Sequence, residues 1–290
     1  MEKKSIKGWL YILPALFIIF VFTLYPLVRA FAMSFEEGFD LIHGTYKDIG
    51  FENYQKVLAD PSFLKAIKNT TIYAIIVVPC SICLSLLIAA MINGTQKTKG
   101  LFQTIYFLPY VTSVIAIGIV WSWIYNSNYG LLNTFLNFLG FDSIPWLNKP
   151  KYALPALIIF AIWKSMAFNI LIFLAGLQTI SKDLYNAAKI DSTPRWRVFT
   201  RITVPGIAPM IVYAYMMGII SAFKVYNEVF ALYGGKAGPA DSAMTIVYYI
   251  YDKFYVSAKY GQAAAASVIL FAIILVFTML QKLIRKFISR

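Results

Sequence analysis

The chain has 290 residues, 60% of them hydrophobic and only 13% charged, about half the charged share of a soluble domain. Its net charge of +13 lies between long apolar runs rather than on one polar face, which argues against nucleic acid as a partner and for membrane lipid.

A membrane-crossing helix needs about 20 mostly apolar residues, and six stretches qualify: Gly8 to Met33, Ala66 to Asn93, Leu101 to Tyr125, Tyr152 to Gln178, Ala208 to Tyr233 and Tyr260 to Leu283. The first has a basic start and an Ala30-Phe31-Ala32 triplet, but its apolar core is too long for a signal peptide, so it is expected to stay as an anchor. Arg29, near its outer end, is expected to snorkel toward the interface. The loop from Ser34 to Lys65 is the longest and most acidic connection, a solvated connector or a docking surface. Its lone His43 has no His or Cys neighbour to share a metal. Cys80 and Cys83 fall within an apolar run, away from the water or cations that activate thiolates, and are expected to be two small buried residues. Trp9, Trp121, Trp123 and Tyr125 lie toward helix ends, where amphipathic rings favour the interface.

If both termini are cytoplasmic, the inner side collects Lys3, Lys4, Lys7, Lys97, Lys99, Lys182, Lys189, Arg195, Arg197, Arg201, Lys282, Arg285, Lys286 and Arg290, against Glu2, Asp183 and Asp191. The other side has nine basic and nine acidic residues. This asymmetry favours cytoplasmic termini. The expectation is an all-α membrane protein, multi-pass in the cytoplasmic membrane, with six transmembrane helices and residues 1–290 forming a single domain.

Phosphate-binding and hydrolytic motifs are missing. Gly234-Gly235-Lys236-Ala237-Gly238 lacks the spacing and following hydroxyl of a P-loop, and no H-E-x-x-H or G-x-S-x-G run occurs. The expected role is therefore not enzymatic, with no cofactor held by this chain.

Polar groups at membrane depth are costly and are the default pathway candidates. On the fourth segment these are Trp163, Lys164 and Asn169, a ring beside polar groups. On the fifth, Ser221, Lys224, Asn227 and Glu228 are expected on one helical face, with Lys224 and Glu228 paired at i, i+4. A structural ion pair and a solute-lining role both fit that cluster.

The stretch 179–207 stands apart as a long, ordered and basic connection, expected to form two short helices. Ser181 can cap the first, with Asp183 near its positive end. Pro194 suits the first position of the second, and Pro205 and Pro209 mark the return to the membrane. Leu184, Ala187, Ala188 and Asp191 share a face on the first helix, and the paired alanines permit close approach by another body. On the second, Trp196, Phe199 and Thr203 share one face and Arg197 and Arg201 another, which equally fits a helix lying on anionic lipid.

The run Leu184-Tyr185-Asn186-Ala187-Ala188-Lys189-Ile190-Asp191-Ser192-Thr193, with Trp196, Phe199, Ile202-Thr203-Val204-Pro205 and Pro209, resembles the E-A-A-x-x-D-G-A loop of permease subunits in bacterial ABC importers. Asn186 stands where that family has Glu, Ser192 where it has Gly and Thr193 where it has Ala. Further pieces in the same order resemble the sugar-importing branch, specifically the first of its two paired permeases: Phe51 to Tyr54, Asn69-Thr70, Phe107 to Tyr110, Tyr129 to Asn133, Leu174 to Gln178, Gly234-Gly235 with Pro239, and Tyr248 to Tyr251 before Phe254. The resemblance implies a cytoplasmic coupling helix between membrane helices 4 and 5, with Leu184, Asn186, Ala187, Ala188, Asp191, Ser192, Trp196 and Phe199 toward an ATPase. It also implies a paralogous permease subunit as heterodimer partner, two cytoplasmic ATPase subunits carrying ATP and Mg, and an extracellular or lipid-anchored solute-binding protein. Two other classes stay open to the residues alone: an ion-coupled transporter using Lys224 and Glu228, and a membrane receptor using the acidic first loop.

Overall fold

The computed structural model describes residues 6–93 and 99–288. Of the residues that argue for sidedness or interface anchoring, Glu2, Lys3, Lys4, Lys97 and Arg290 lie outside the described residues, as do the side chains of Lys7, Trp9, Lys99, Arg285 and Lys286. Among the described residues four helices are long and apolar enough to span a membrane, Tyr11–Met33, Pro61–Asn93, Pro150–Leu177 and Tyr260–Leu283, and two bent pairs raise the number to as many as six. The described chain falls into two compact units, one of residues 6–64 with 249–276 and one of 65–248 with 277–288.

The first unit opens with α1, which runs from Ile6–Ile19 through a wide turn at Phe20–Leu24 into Tyr25–Met33. Arg29 has partners within the unit: its guanidinium grips the Glu36 carboxylate at two points, Nη2 to Oε2 at 2.9 Å, and lies over the Phe39 ring. The acidic loop contains a short hairpin, β1 (Glu36–Glu37) against β2 (Asp48–Ile49), followed by α2 (Glu52–Ala59). Asn53 on α2 donates to the Ser34 and Glu36 carbonyls, which fastens the hairpin base. His43 bonds the Asp40 carboxylate in an exposed turn, and among the described residues no group of three ligands could hold a metal.

Asp60 precedes α3 (Pro61–Asn93) and receives Lys253 Nζ and the Tyr249 hydroxyl, each at 2.9 Å. Burial pushes this carboxyl up, but the bonds from Lys253, the Ser62 amide and Tyr249 outweigh it and hold it below the usual carboxylate range.

In the second unit, α4 (Lys99–Val111) and α5 (Val114–Ile124) form one apolar stretch bent by 108°. Pro109 cannot donate to the preceding turn, the Thr112 hydroxyl returns to the Leu108 carbonyl, and Ser113 is extended, so the expected straight third helix is bent. After α6 (Leu131–Phe138), α7 (Pro150–Leu177) supplies much of the buried interior, including Leu157, Phe160, Ile170 and Phe173. Tyr125 is buried and bonds the Ala156 carbonyl at 2.8 Å, so it is a packing residue rather than the interfacial ring expected. Cys80 and Cys83 are exposed on α3 rather than buried, because the inward face there is carried by Ser81, Ile82 and Ser85.

The fifth apolar stretch is also broken. One helix covers Ala208–Phe223, and a separate helix covers Asn227–Leu232. Between them the Val225 carbonyl accepts from the Thr245 hydroxyl at 2.8 Å and Tyr226 leaves helical geometry.

Candidate functional site

The helices before and after 179–207 place two features in the second unit, a cavity and a cap-stabilised loop. The loop consists of α8 (Lys182–Ile190), α9 (Arg195–Val198), a wide turn at Phe199–Thr203 and the short turn Val204–Gly206, before α10 (Ala208–Phe223). Ser181 caps α8 as expected, its Oγ accepting from the Asp183 amide at 3.2 Å. Pro194 sits one position earlier than expected, at the N-cap of α9.

The end of α8 is closed by two amides, Thr193 to the Ala188 carbonyl at 2.9 Å and Ser192 to Lys189 at 3.1 Å, with Ser192 left-handed at φ 49. A left-handed turn position is thus filled by a serine rather than a glycine. The two arms are joined inside by Tyr185 and Thr203, whose hydroxyls lie 3.2 Å apart. Ile180 covers Gly206 so closely that an added Cβ would meet its Cδ1 at 2.7 Å.

This closure divides the expected α8 face. Ala188 is turned inward at 7% exposure, while Leu184 at 51% and Ala187, Asn186 and Asp191 stay exposed. Ile190, which the sequence pattern did not single out, is 84% exposed. On the second arm Trp196 is 71% exposed and stacked on the half-buried Phe199 at 5.9 Å. Thr203 is buried.

The cavity, ≈ 490 Å³, is lined from α3, α4, α7, α10 and the break beyond it. It gathers Lys164, Asn169, Lys224, Asn227 and Glu228 of the expected pathway set. Their pairing differs from the expectation: Glu228 binds Lys164 Nζ at 2.6 Å, not Lys224. With α10 ending at Phe223, the regular i, i+4 relation between Lys224 and Glu228 no longer exists, and Glu228 starts a helix of its own, α11 (Asn227–Leu232). Asn169 is buried and reaches the Ser81 hydroxyl at 3.4 Å.

Trp163 is not brought to this cavity. It lines a separate apolar space of ≈ 290 Å³ with Thr112, Ile117, Trp121 and Ile124, its ring 5.3 Å from that of Trp121. Neighbouring helical residues diverge by about 100°, which separates Trp163 from Lys164. The aromatic surface in the main cavity comes instead from Tyr110 and Phe168, stacked at 5.3 Å, together with Tyr73. Sequence spacing did not reveal these three, because they converge from three helices.

Residues 81–290 match the family described as "binding-protein-dependent transport system inner membrane component". This chain belongs to that family. Among curated relatives, the permease is 33% identical over 281 residues to the lactose transport system permease protein LacF of Rhizobium radiobacter, covering 96% of this chain and 93% of that one. It is 32% identical to the arabinooligosaccharides transport system permease protein AraP of Bacillus subtilis, covering 96% and 88%. Among solved structures it superimposes with a TM-score of 0.83, at 26% identity and over 99% of this chain and 98% of the other, on a bacterial ABC transporter involved in import of the acidic polysaccharide alginate. A second structure, of the alginate transporter in complex with its pentasaccharide-bound periplasmic protein, gives a TM-score of 0.82, at 26% identity and over 98% of this chain and 96% of the other.

The permease fold expected from the sequence is therefore the fold observed. The protein is a multi-pass component of the cytoplasmic membrane, and its relatives are transport permeases, not enzymes.

Proposed function

We propose that this permease carries a di- or oligosaccharide into the cell as one half of a heterodimer with a paralogous permease. An extracellular or lipid-anchored binding protein delivers the solute, and two cytoplasmic ATPase subunits hold ATP and Mg and supply the work. Both termini face the cytoplasm, residues 1–290 act as one transmembrane domain, and 179–207 is its coupling loop.

The observation that carries this proposal is the cap-stabilised helix-turn-helix of that loop, which presents Leu184, Asn186, Ala187, Ile190, Asp191 and Ser192 outward and has Ala188 inside as a spacer. Leu184 and Ala187, one turn apart and both exposed, form an apolar surface on a polar loop that suits a cleft in another protein. Trp196 and Phe199 belong to the second arm of the same loop.

Closure of the ATPases on ATP moves the loop as a rigid body and opens the pathway outward, and hydrolysis resets it. The solute meets the cavity of Lys164, Asn169, Lys224, Asn227 and Glu228, where amides and charges serve hydroxyls and Tyr110 and Phe168 serve the apolar face of a sugar ring. Trp163 acts outside that cavity, as packing for Trp121.

The test is liposome uptake of labelled oligosaccharides by the complete assembly. Ala187→Trp, which enlarges an exposed residue and disturbs no buried contact, is expected to abolish ATP-dependent uptake while the two permeases still co-purify. Uptake at the wild-type rate in this variant would rule out docking at α8.

A further inference from the structure

The second arm of the loop carries three exposed arginines that docking through α8 leaves without a role. We propose that Arg195–Gly206 is a lipid-contact arm that binds anionic phospholipid headgroups at the membrane surface, with Arg195, Arg197 and Arg201 as ligands and Trp196 seated at the boundary between headgroups and acyl chains. The inference rests on the family assignment and holds whatever the solute is.

Three observations carry it. First, the arm Arg195–Gly206 meets Ala208–Phe223 at 68°. Membrane helices tilt by about 20° on average from the bilayer normal, so an arm bent by 68° from one lies nearer the membrane plane than the normal at the point where the chain enters it.

Second, the charge on the arm has a single sign and is unanswered. Arg195, Arg197 and Arg201 are exposed, and among the described residues none has a carboxylate within ion-pair distance. Guanidinium groups are suited to bidentate contact with phosphate oxygens, and an anionic leaflet supplies those oxygens at the depth where this arm lies.

Third, the same short helix exposes a large ring. Trp196 packs on Phe199 but leaves 71% of its surface open, and Phe199 is half-buried. A solvated polar loop gains nothing from an exposed indole, whereas indole and guanidinium side by side match the interfacial zone, where one end is apolar and the other wet. The division of labour follows: α8 offers Leu184 and Ile190 to a protein cleft, and the arm beyond the Ser192 turn holds the membrane surface and fixes the angle from which α8 projects.

The experiment uses the complete importer in lipid nanodiscs. One set contains phosphatidylglycerol with brominated chains in unlabelled phosphatidylcholine, and the other contains brominated phosphatidylcholine at the same fraction. The Trp196 signal is the difference between wild type and Trp196→Phe. Bromine on phosphatidylglycerol is expected to quench that signal at least about twofold more than bromine on phosphatidylcholine. Arg195→Gln, Arg197→Gln and Arg201→Gln should each weaken the apparent affinity for brominated phosphatidylglycerol about fivefold and so bring the two quenching values closer together, while the corresponding lysine variants keep most of the difference. Equal quenching by both lipids would overturn the proposal. So would an absence of quenching by either, the result expected if an ATPase covers Trp196. The wild-type comparison decides by itself if an arginine variant fails to assemble.

Discussion

Ser192 shows at single-residue level what the loop requires. The turn after α8 needs a left-handed residue, and the chain places a serine there at φ 49, with Thr193 and Ser192 amides closing the helix behind it. A side chain in that conformation costs about 1 kcal/mol relative to glycine. Ser192→Gly is therefore expected to slow hydrogen exchange at 188–193 by several-fold and leave coupling intact; faster exchange would mean that the serine hydroxyl is what holds the turn. Gly118 is a second residue with a steric reason for its identity, since a Cβ there would collide with the Ala231 side chain on α11. Gly118→Val forces α5 and α11 apart at a cost of about 1–3 kcal/mol, which should appear as a lowered unfolding midpoint of the purified permease pair.

These residue roles were unevenly legible in the sequence. Ser181 as a cap and the restart near Pro194 follow from local chemistry, which is why they could be placed to within one residue. Glu228 could not be paired correctly, because its partner Lys164 lies 64 positions away and only the fold brings them together. Asn69 and Asn133 show the intermediate case: each is part of a recognisable sequence motif, but its task is a set of bonds to distant carbonyls, Asn69 to Ser242 and Met244, Asn133 to Ile144.

Among elements, the breaks carry the consequences. Helical periodicity extends through 208–233, yet the chain leaves the helix at Lys224 because Thr245 takes the Val225 carbonyl and Lys164 takes Glu228. α11 is thereby tied to α7 across the cavity wall. Lys164→Met leaves Glu228 without its counter-charge and should lower stability by on the order of 3 kcal/mol, while Lys164→Met with Glu228→Leu recovers most of that loss. Heating each variant and measuring the surviving fraction by size exclusion separates the two outcomes, and equal loss in both variants would deny the pair its structural share.

The Asp60 latch is an element-level device in the other unit. Its folded carboxyl is held below the ordinary value, so its contribution is complete above about 3.9 and disappears as pH falls through the lower folded value. Exchange at 249–253 should stay slow at neutral pH and rise only in acid below the usual carboxylate range, and Asp60→Asn should abolish that acid response.

At the scale of the whole molecule, composition fixed the solvent, and five of the six apolar stretches match the four long helices and the bent pair Thr104–Val111 with Val114–Ile124; of the second bent pair, Arg195–Gly206 with Ala208–Phe223, the fifth stretch covers only the second member. The bends themselves were not legible, because a break costs little sequence signal when its carbonyls find partners elsewhere. Sidedness remains the global property that charge argues for most directly. Single cysteines at Ile42 and Ile190 should react with impermeant maleimide from opposite sides of the membrane, the first from outside and the second from inside; labelling of both from one side would invert the topology.

Under the proposed function, transport by this chain is driven from outside itself, through α8. ATP-dependent uptake measured in proteoliposomes tests it most directly, comparing this permease alone, the permease pair, and the pair with its ATPase and binding protein. Saccharide uptake is expected only in the complete assembly, only with ATP on the loop side, and not with Ala187→Trp. Uptake by this chain alone under an ion gradient, without ATP, would contradict the account.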